Sequence, residues 1–163
     1  MPVSRSSKAG FSLVEMLVSV VILSILASVA MPYAERGLIR AKEMELRRAL
    51  RDIRAAIDEF HRDCKDGYIL KNQEAVSPNC LPVTLDVLVA GVDGGETGAQ
   101  RLRYLRRIPR DPLQSGETPV EEQWGYRGYA DDADSSIWDG IDVYDIYVPR
   151  DATALDGSNY REW

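Results

Sequence analysis

Apolar residues fill positions 11–31 almost without a break: FSLVEMLVSVVILSILASVAM, with Glu15 the only charged residue among these 21. As a helix at about 1.5 Å per residue the run is roughly 31 Å long, the thickness of a bilayer's hydrocarbon core. A buried core helix would be shorter or two-faced, so the pattern predicts a transmembrane helix over 11–31. Beyond it the period changes. Pro32 removes one helical hydrogen bond and predicts a kink or a local opening, and Gly37 adds a second weak point. From 38 to 64, Leu46, Leu50, Ile53, Ile57, Phe60 and Cys64 step by four and three, which places them on one face of an amphipathic helix over 32–64. Charged residues fill the other face, with Glu43–Arg47 and Asp58–Arg62 at i,i+4 spacing. The stripe is the expected spine for a sheet. The run is short and a globular region follows, which argues against a coiled coil.

Residues 65–163 read as that globular region. Gly67, Pro78 and Pro82 mark a loop over 65–83. Thr84 is the expected N-cap of a short helix that stops near Gly91. Gly94, Gly95 and Gly98 mark a further loop, Leu102–Leu105 a brief strand, and Ile108-Pro109-Arg110-Asp111-Pro112 a rigid turn. Two longer strands are expected at Gln123–Ala130 and Asp142–Val148, the second with Tyr144, Ile146 and Val148 on one face. A turn-rich stretch separates them, so they can pair antiparallel across the helix stripe. The expected fold class is α+β: a long N-terminal helix packed against a small antiparallel sheet.

Composition narrows the function. At 163 residues there is room for one ordinary domain, and a net charge of −6 disfavours a nucleic-acid binder led by phosphate contacts. The first ten residues carry Arg5 and Lys8 and no acid. Basic residues ahead of an apolar run hold that end in the cytoplasm, which places the rest outside the inner membrane. No enzyme is expected: there is one histidine, His61, which reads as a plain surface residue, and no Gly-rich phosphate loop. A secretory signal cut at Ser28-Val29-Ala30 and a plain signal anchor are the bland readings. The run exceeds the usual 7–15 residues and has a carboxylate near its start, against the first of these.

The boundary Lys8-Ala9-Gly10-Phe11-Ser12-Leu13-Val14-Glu15 resembles the prepilin-type signal of type IV pilins and type II secretion pseudopilins. The resemblance implies a leader, residues 1–10, that a prepilin peptidase removes between Gly10 and Phe11, with N-methylation of Phe11. It makes Glu15 the assembly glutamate, paired with the Phe11 amine of a neighbouring subunit. The chemistry is sensible on its own terms. A carboxylate in a membrane helix costs about 2–3 kcal/mol, less near an interface, and normally has a partner. No Lys or Arg follows before Arg36, whereas a new amine at Phe11, with a pKa near 8, would lie one turn away. The bland alternative leaves Glu15 at the headgroup level. Pro32 also stands where this family has a proline.

The C-terminal third resembles the major, G-type pseudopilin of type II secretion. The likeness lies in Tyr104-Leu105 before Ile108–Pro112, in Trp124-Gly125-Tyr126, and in Val143-Tyr144-Asp145-Ile146-Tyr147 leading to an Asp/Gly tail. It implies a structural subunit with a pilin-like fold, anchored in the inner membrane by a single span, its C-terminal domain in the periplasm. That subunit would polymerise into a helical homo-oligomeric filament with minor pseudopilins, on an inner-membrane assembly platform, and drive folded proteins through an outer-membrane secretin. The alternative is a type IV pilin forming surface fibres for adhesion or motility. Membrane lipid is an expected partner and nucleic acid is not.

An oxidising periplasm makes a Cys64–Cys80 disulfide the expectation, with two free buried thiols as the alternative. G-type pseudopilins hold Ca²⁺ in the loop after their last strand, and the matching residues here run from 149 to 160. Asp151 and Asp156 are thereby candidate calcium ligands. The loop is shorter and poorer in Gly and Asp than the family's. Arg150 and Arg161 could neutralise the same carboxylates, so an acidic loop fastened by hydrogen bonds remains the other reading. Asp131, Asp132 and Asp134 form a rival cluster expected to face solvent.

Overall fold

The computed structural model describes residues 11–95, 101–114 and 116–163. The leader, including Gly10, and the loop residue Gly98 lie outside the described residues. One helix, α1, spans Leu13–Lys65. It passes Pro32 and Gly37 uninterrupted. A proline deletes one bond of the ladder, and the turns on either side carry the helix across. The segments expected to be transmembrane and amphipathic are therefore parts of one element. The chain divides into two compact units, with the boundary after Ile39.

In the first unit, residues 11–28 and 30–39 are all exposed. This is the one described helix long and apolar enough to cross a membrane. Its three serine hydroxyls fold back on the helix: Ser19 donates to the Glu15 carbonyl at 2.7 Å, Ser24 to Val20 at 2.8 Å and Ser28 to Ile25 at 2.8 Å. Each is satisfied without water, as hydrocarbon requires.

The second unit, Arg40–Trp163, is built on the rest of α1. The six predicted stripe residues are all buried, joined by Ala49 and Ala56. Each large apolar side chain so buried contributes about 1.5–3 kcal/mol. Against them pack Leu81, Leu85, Leu88, Val92, Trp124, Val143, Ile146 and Val148. Cys64, at the end of α1, is disulfide-bonded to Cys80 across 16 positions. His61 is not a plain surface residue. It is half-buried, with Nδ1 3.0 Å from the Cys80 carbonyl.

The remaining elements are short. Helix α2 is Asp86–Ala90, and its N-cap is Leu85 with no side-chain bond, so Thr84 does not cap it. Gly91 ends it at φ +82°, where an added Cβ would run into the Leu102 carbonyl. Strand β1 (Val92–Asp93) pairs antiparallel with β2 (Arg101–Leu102); the Leu102–Leu105 expectation overlaps this ribbon only at Leu102, and β1 was not anticipated. Strand β3 (Gly125–Arg127) pairs antiparallel with β4 (Asp145–Tyr147), in the register Tyr126 opposite Ile146. Residues 120–123 form a 3₁₀ turn instead of the start of a strand. Ile146 and Val148 face the core, but Tyr144, which precedes the β4 ladder and whose backbone N–H bonds to the Arg127 carbonyl, is exposed. A second 3₁₀ turn, Tyr160–Glu162, closes the described chain. The class is α+β, a long N-terminal helix with small antiparallel ribbons, consistent with a pilin-like fold.

The rigid turn at 108–112 is fastened from inside. Asp111 is buried, its N–H donates to Gln123 Oε1 at 2.9 Å, and its carboxylate faces Arg150 at 3.2 Å. Burial pushes the Asp111 carboxyl up, against the pull of the Leu113 N–H and Arg150.

Candidate assembly helix and C-terminal clasp

The helix begins at Leu13, and the Met16 N–H already bonds to the Ser12 carbonyl at 3.1 Å. Glu15 therefore lies in the first turn, where the unpaired N–H groups favour a negative charge. Among the described residues it forms no ion pair. Phe11 precedes the helix and is 76 % exposed. The arrangement is an apolar rod with one charge at its tip and no cation of its own within the span.

The second cluster ties the C-terminal segment to α1. Glu43 is buried, and its Oε1 accepts from the Leu155 N–H and from the Tyr160 hydroxyl, each at 2.8 Å. The predicted Glu43–Arg47 pair is absent because Glu43 turns inward. Arg47 instead pairs with Asp156 and lies over the Trp163 ring, 3.9 Å from its centroid. Arg54 donates to Asp145 Oδ1 at 2.7 Å and to the carbonyls of Ile146 and Trp163, each at 2.8 Å. The Trp163 indole donates to Ser158 Oγ at 2.7 Å. Asp58 and Arg62 form no ion pair among the described residues.

This clasp bears on calcium. Asp156 accepts from the Ser158 hydroxyl and N–H and pairs with Arg47, and these hold its carboxyl below the ordinary range. Asp151 accepts from the Asn159 amide at 2.6 Å. Among the described residues no group of three His, Cys, Asp or Glu side chains could hold a metal ion. Calcium takes six to eight oxygens, backbone carbonyls and waters among them, and the two candidate carboxylates are engaged here by Asn159, Ser158 and Arg47. The 131–134 cluster is only partly solvent-facing: Asp131 is half-buried and accepts from the Gly128 N–H, whereas Asp132 and Asp134 are exposed.

Arg54 and Tyr160 are not singled out by the sequence, and Glu43 is singled out only as a surface partner of Arg47. One signal was present. Carried back three residues from Leu46, the apolar stripe lands on Glu43, a carboxylate in a core position.

Residues 5–31 match the family model for the prokaryotic N-terminal methylation motif. No curated protein and no solved structure matches the chain. The motif supports a protein of the type IV pilin or pseudopilin kind, a structural class rather than an enzymatic one. It implies processing by a prepilin peptidase and, in general, assembly into a filament. The single apolar helix fits a membrane-anchored protein of that kind.

Proposed function

We propose that this chain is a type II secretion pseudopilin of the G type. In this reading a prepilin peptidase cuts between Gly10 and Phe11, and Phe11 is methylated. The subunit waits in the inner membrane with its C-terminal domain in the periplasm. An assembly platform then moves it into a helical filament with further copies and minor pseudopilins, and the filament drives folded proteins through a secretin.

The observation that carries this is the apolar part of α1, exposed along its whole described length with one unpaired carboxylate in its first turn. Lipid can cover such a surface in a waiting subunit, and neighbouring helices can cover it in a polymer. A charge at its tip suits a polymer, because a partner amine from the next copy would remove the desolvation cost and set the register. The clasped C-terminal segment and the turn at 108–112 lie in the region that resembles the G type.

Mass spectrometry of the N-terminus, on protein purified from its host, tests this reading. A chain beginning with methylated Phe11 is expected, and one still carrying Met1 or beginning at Met31 sinks it. Deletion separates the two kinds of filament. Loss of exoprotein export with no surface fibres supports the pseudopilin, and loss of long surface fibres supports the pilin.

A further inference from the structure

Residues 128–142, within the connection between β3 and β4, are held by a set of hydrogen bonds. Asp142 accepts from the Tyr129 N–H and from the Asn79 amide, each at 2.9 Å, and the Trp138 indole donates to the Asp142 carbonyl at 2.6 Å. Asp139 accepts from the Ile141 N–H at 2.9 Å. Yet this built loop turns large apolar side chains outward. Ile137 is 79 % exposed and Ile141 53 %; Tyr129 is exposed too and meets the exposed Tyr144 edge-on, with centroids 5.6 Å apart. Scattered apolar residues on a surface need no explanation, but three exposed large apolar side chains within one hydrogen-bonded loop, Tyr129, Ile137 and Ile141, make it a candidate contact site. The same loop carries five aspartates and no basic residue.

The complementary surface is on α1. Arg40, Met44, Arg48 and Arg51 fall within roughly 80° of one another at about 100° per residue, on the side opposite the buried stripe. All four are exposed. Among the described residues, none of Arg40, Arg48, Arg51, Asp132 and Asp134 forms an ion pair. One surface is apolar with free carboxylates, the other a methionine flanked by free guanidinium groups, and within one copy they do not pair.

We propose that the 128–142 loop of one copy docks on the Arg40–Met44–Arg48–Arg51 stripe of a neighbouring copy. This rests on the filament reading and adds which surfaces of the second unit meet. Ile137 and Ile141 cover Met44, while Asp132 and Asp134 face Arg48 and Arg51. Raised salt weakens the contact because the charges are near solvent.

The test places a photo-crosslinking amino acid at Ile137 in the full-length chain, in membranes and in filaments. The expected product is a dimer of this chain, with the crosslink mapping to residues 40–51. A crosslink to a different protein, to lipid or elsewhere on α1 overturns the docking. Charge exchange gives an independent arm. R48D/R51D and D132R/D134R should each lose filament, and the combined variant should regain it, while unchanged protease resistance shows that each variant folds. Failure of the combined variant to recover overturns the proposal. Wild-type membranes that yield no filament sink the filament reading itself, whereas filaments without the Ile137 crosslink sink only the docking.

Discussion

The Tyr160 hydroxyl donates its hydrogen bond to Glu43 Oε1 at 2.8 Å, inside the second unit. The same oxygen accepts the Leu155 N–H, so one buried carboxylate ties both Leu155 and Tyr160 to α1. Removing it strands two donors, each costing about 1–3 kcal/mol when left unsatisfied. Glu43→Ala should therefore be among the most destabilising substitutions in the domain, and Glu43→Gln, which keeps an acceptor, should cost less. Urea unfolding of the full chain in detergent measures the order. Equal losses for the two variants would remove the hydrogen-bond account.

Alkali should loosen the same region. Burial, then the Glu43 hydrogen bond and charge, pushes the Tyr160 hydroxyl up to about 12, and burial with the charges of Asp86 and Glu121 raises Tyr126 to about 12. Tyr104 is pushed up further by burial and by its bond to Asp63. The folded chain keeps these protons, whereas the unfolded chain releases them near pH 10. Stability is thus complete below about pH 10 and falls as pH rises through about 12. Melting temperatures taken across that window should decline, and Tyr160→Phe should flatten part of the slope.

Reduction of Cys64–Cys80 should cost roughly 3 kcal/mol in the chain-entropy description of a loop this long. The double variant Cys64→Ser/Cys80→Ser should unfold at lower urea than the wild type, and dithiothreitol should shift only the wild type. A reductant effect that persists in the double variant would contradict this.

Chelation should do little. Arg47 supplies the positive charge that meets Asp156, so EDTA should leave the melting temperature unchanged and added calcium should not raise it. Arg47→Ala should lower it, because both the ion pair and the cover over Trp163 are lost. A rise of several degrees on adding calcium to the wild type would count against the arginine clasp.

Glu15→Ala should leave cleavage after Gly10 intact and abolish or impair filament formation. Sedimentation of sheared filaments, together with the mass of the N-terminus, reads both. Normal filaments from the variant would remove the charge-pair account of register.

The helical half was legible because its signals are local and repetitive. A run of 21 residues with one charge and a stripe stepping by four and three leave little freedom. The ribbons were legible only as an antiparallel pair. Their lengths were overestimated because aromatic and β-branched residues around 123–130 and 142–148 also serve the core outside any ladder, as Trp124, Val143 and Val148 do. The clasp was hidden because the residues that tie α1 to the C-terminal segment stand 91 to 117 positions apart, and i,i+4 spacing suggested the wrong partner for both Glu43 and Arg47. Nothing local distinguishes an arginine that lies over Trp163 from one in solvent.

The Cys64–Cys80 tie has a use beyond stability. Cytoplasmic reductants keep thiols open, so a copy held on that side would carry two alkylatable sulfurs, and a copy whose domain has crossed would carry none. On the proposed periplasmic placement, each molecule would keep a chemical record of its own passage, readable as a mass difference after alkylation.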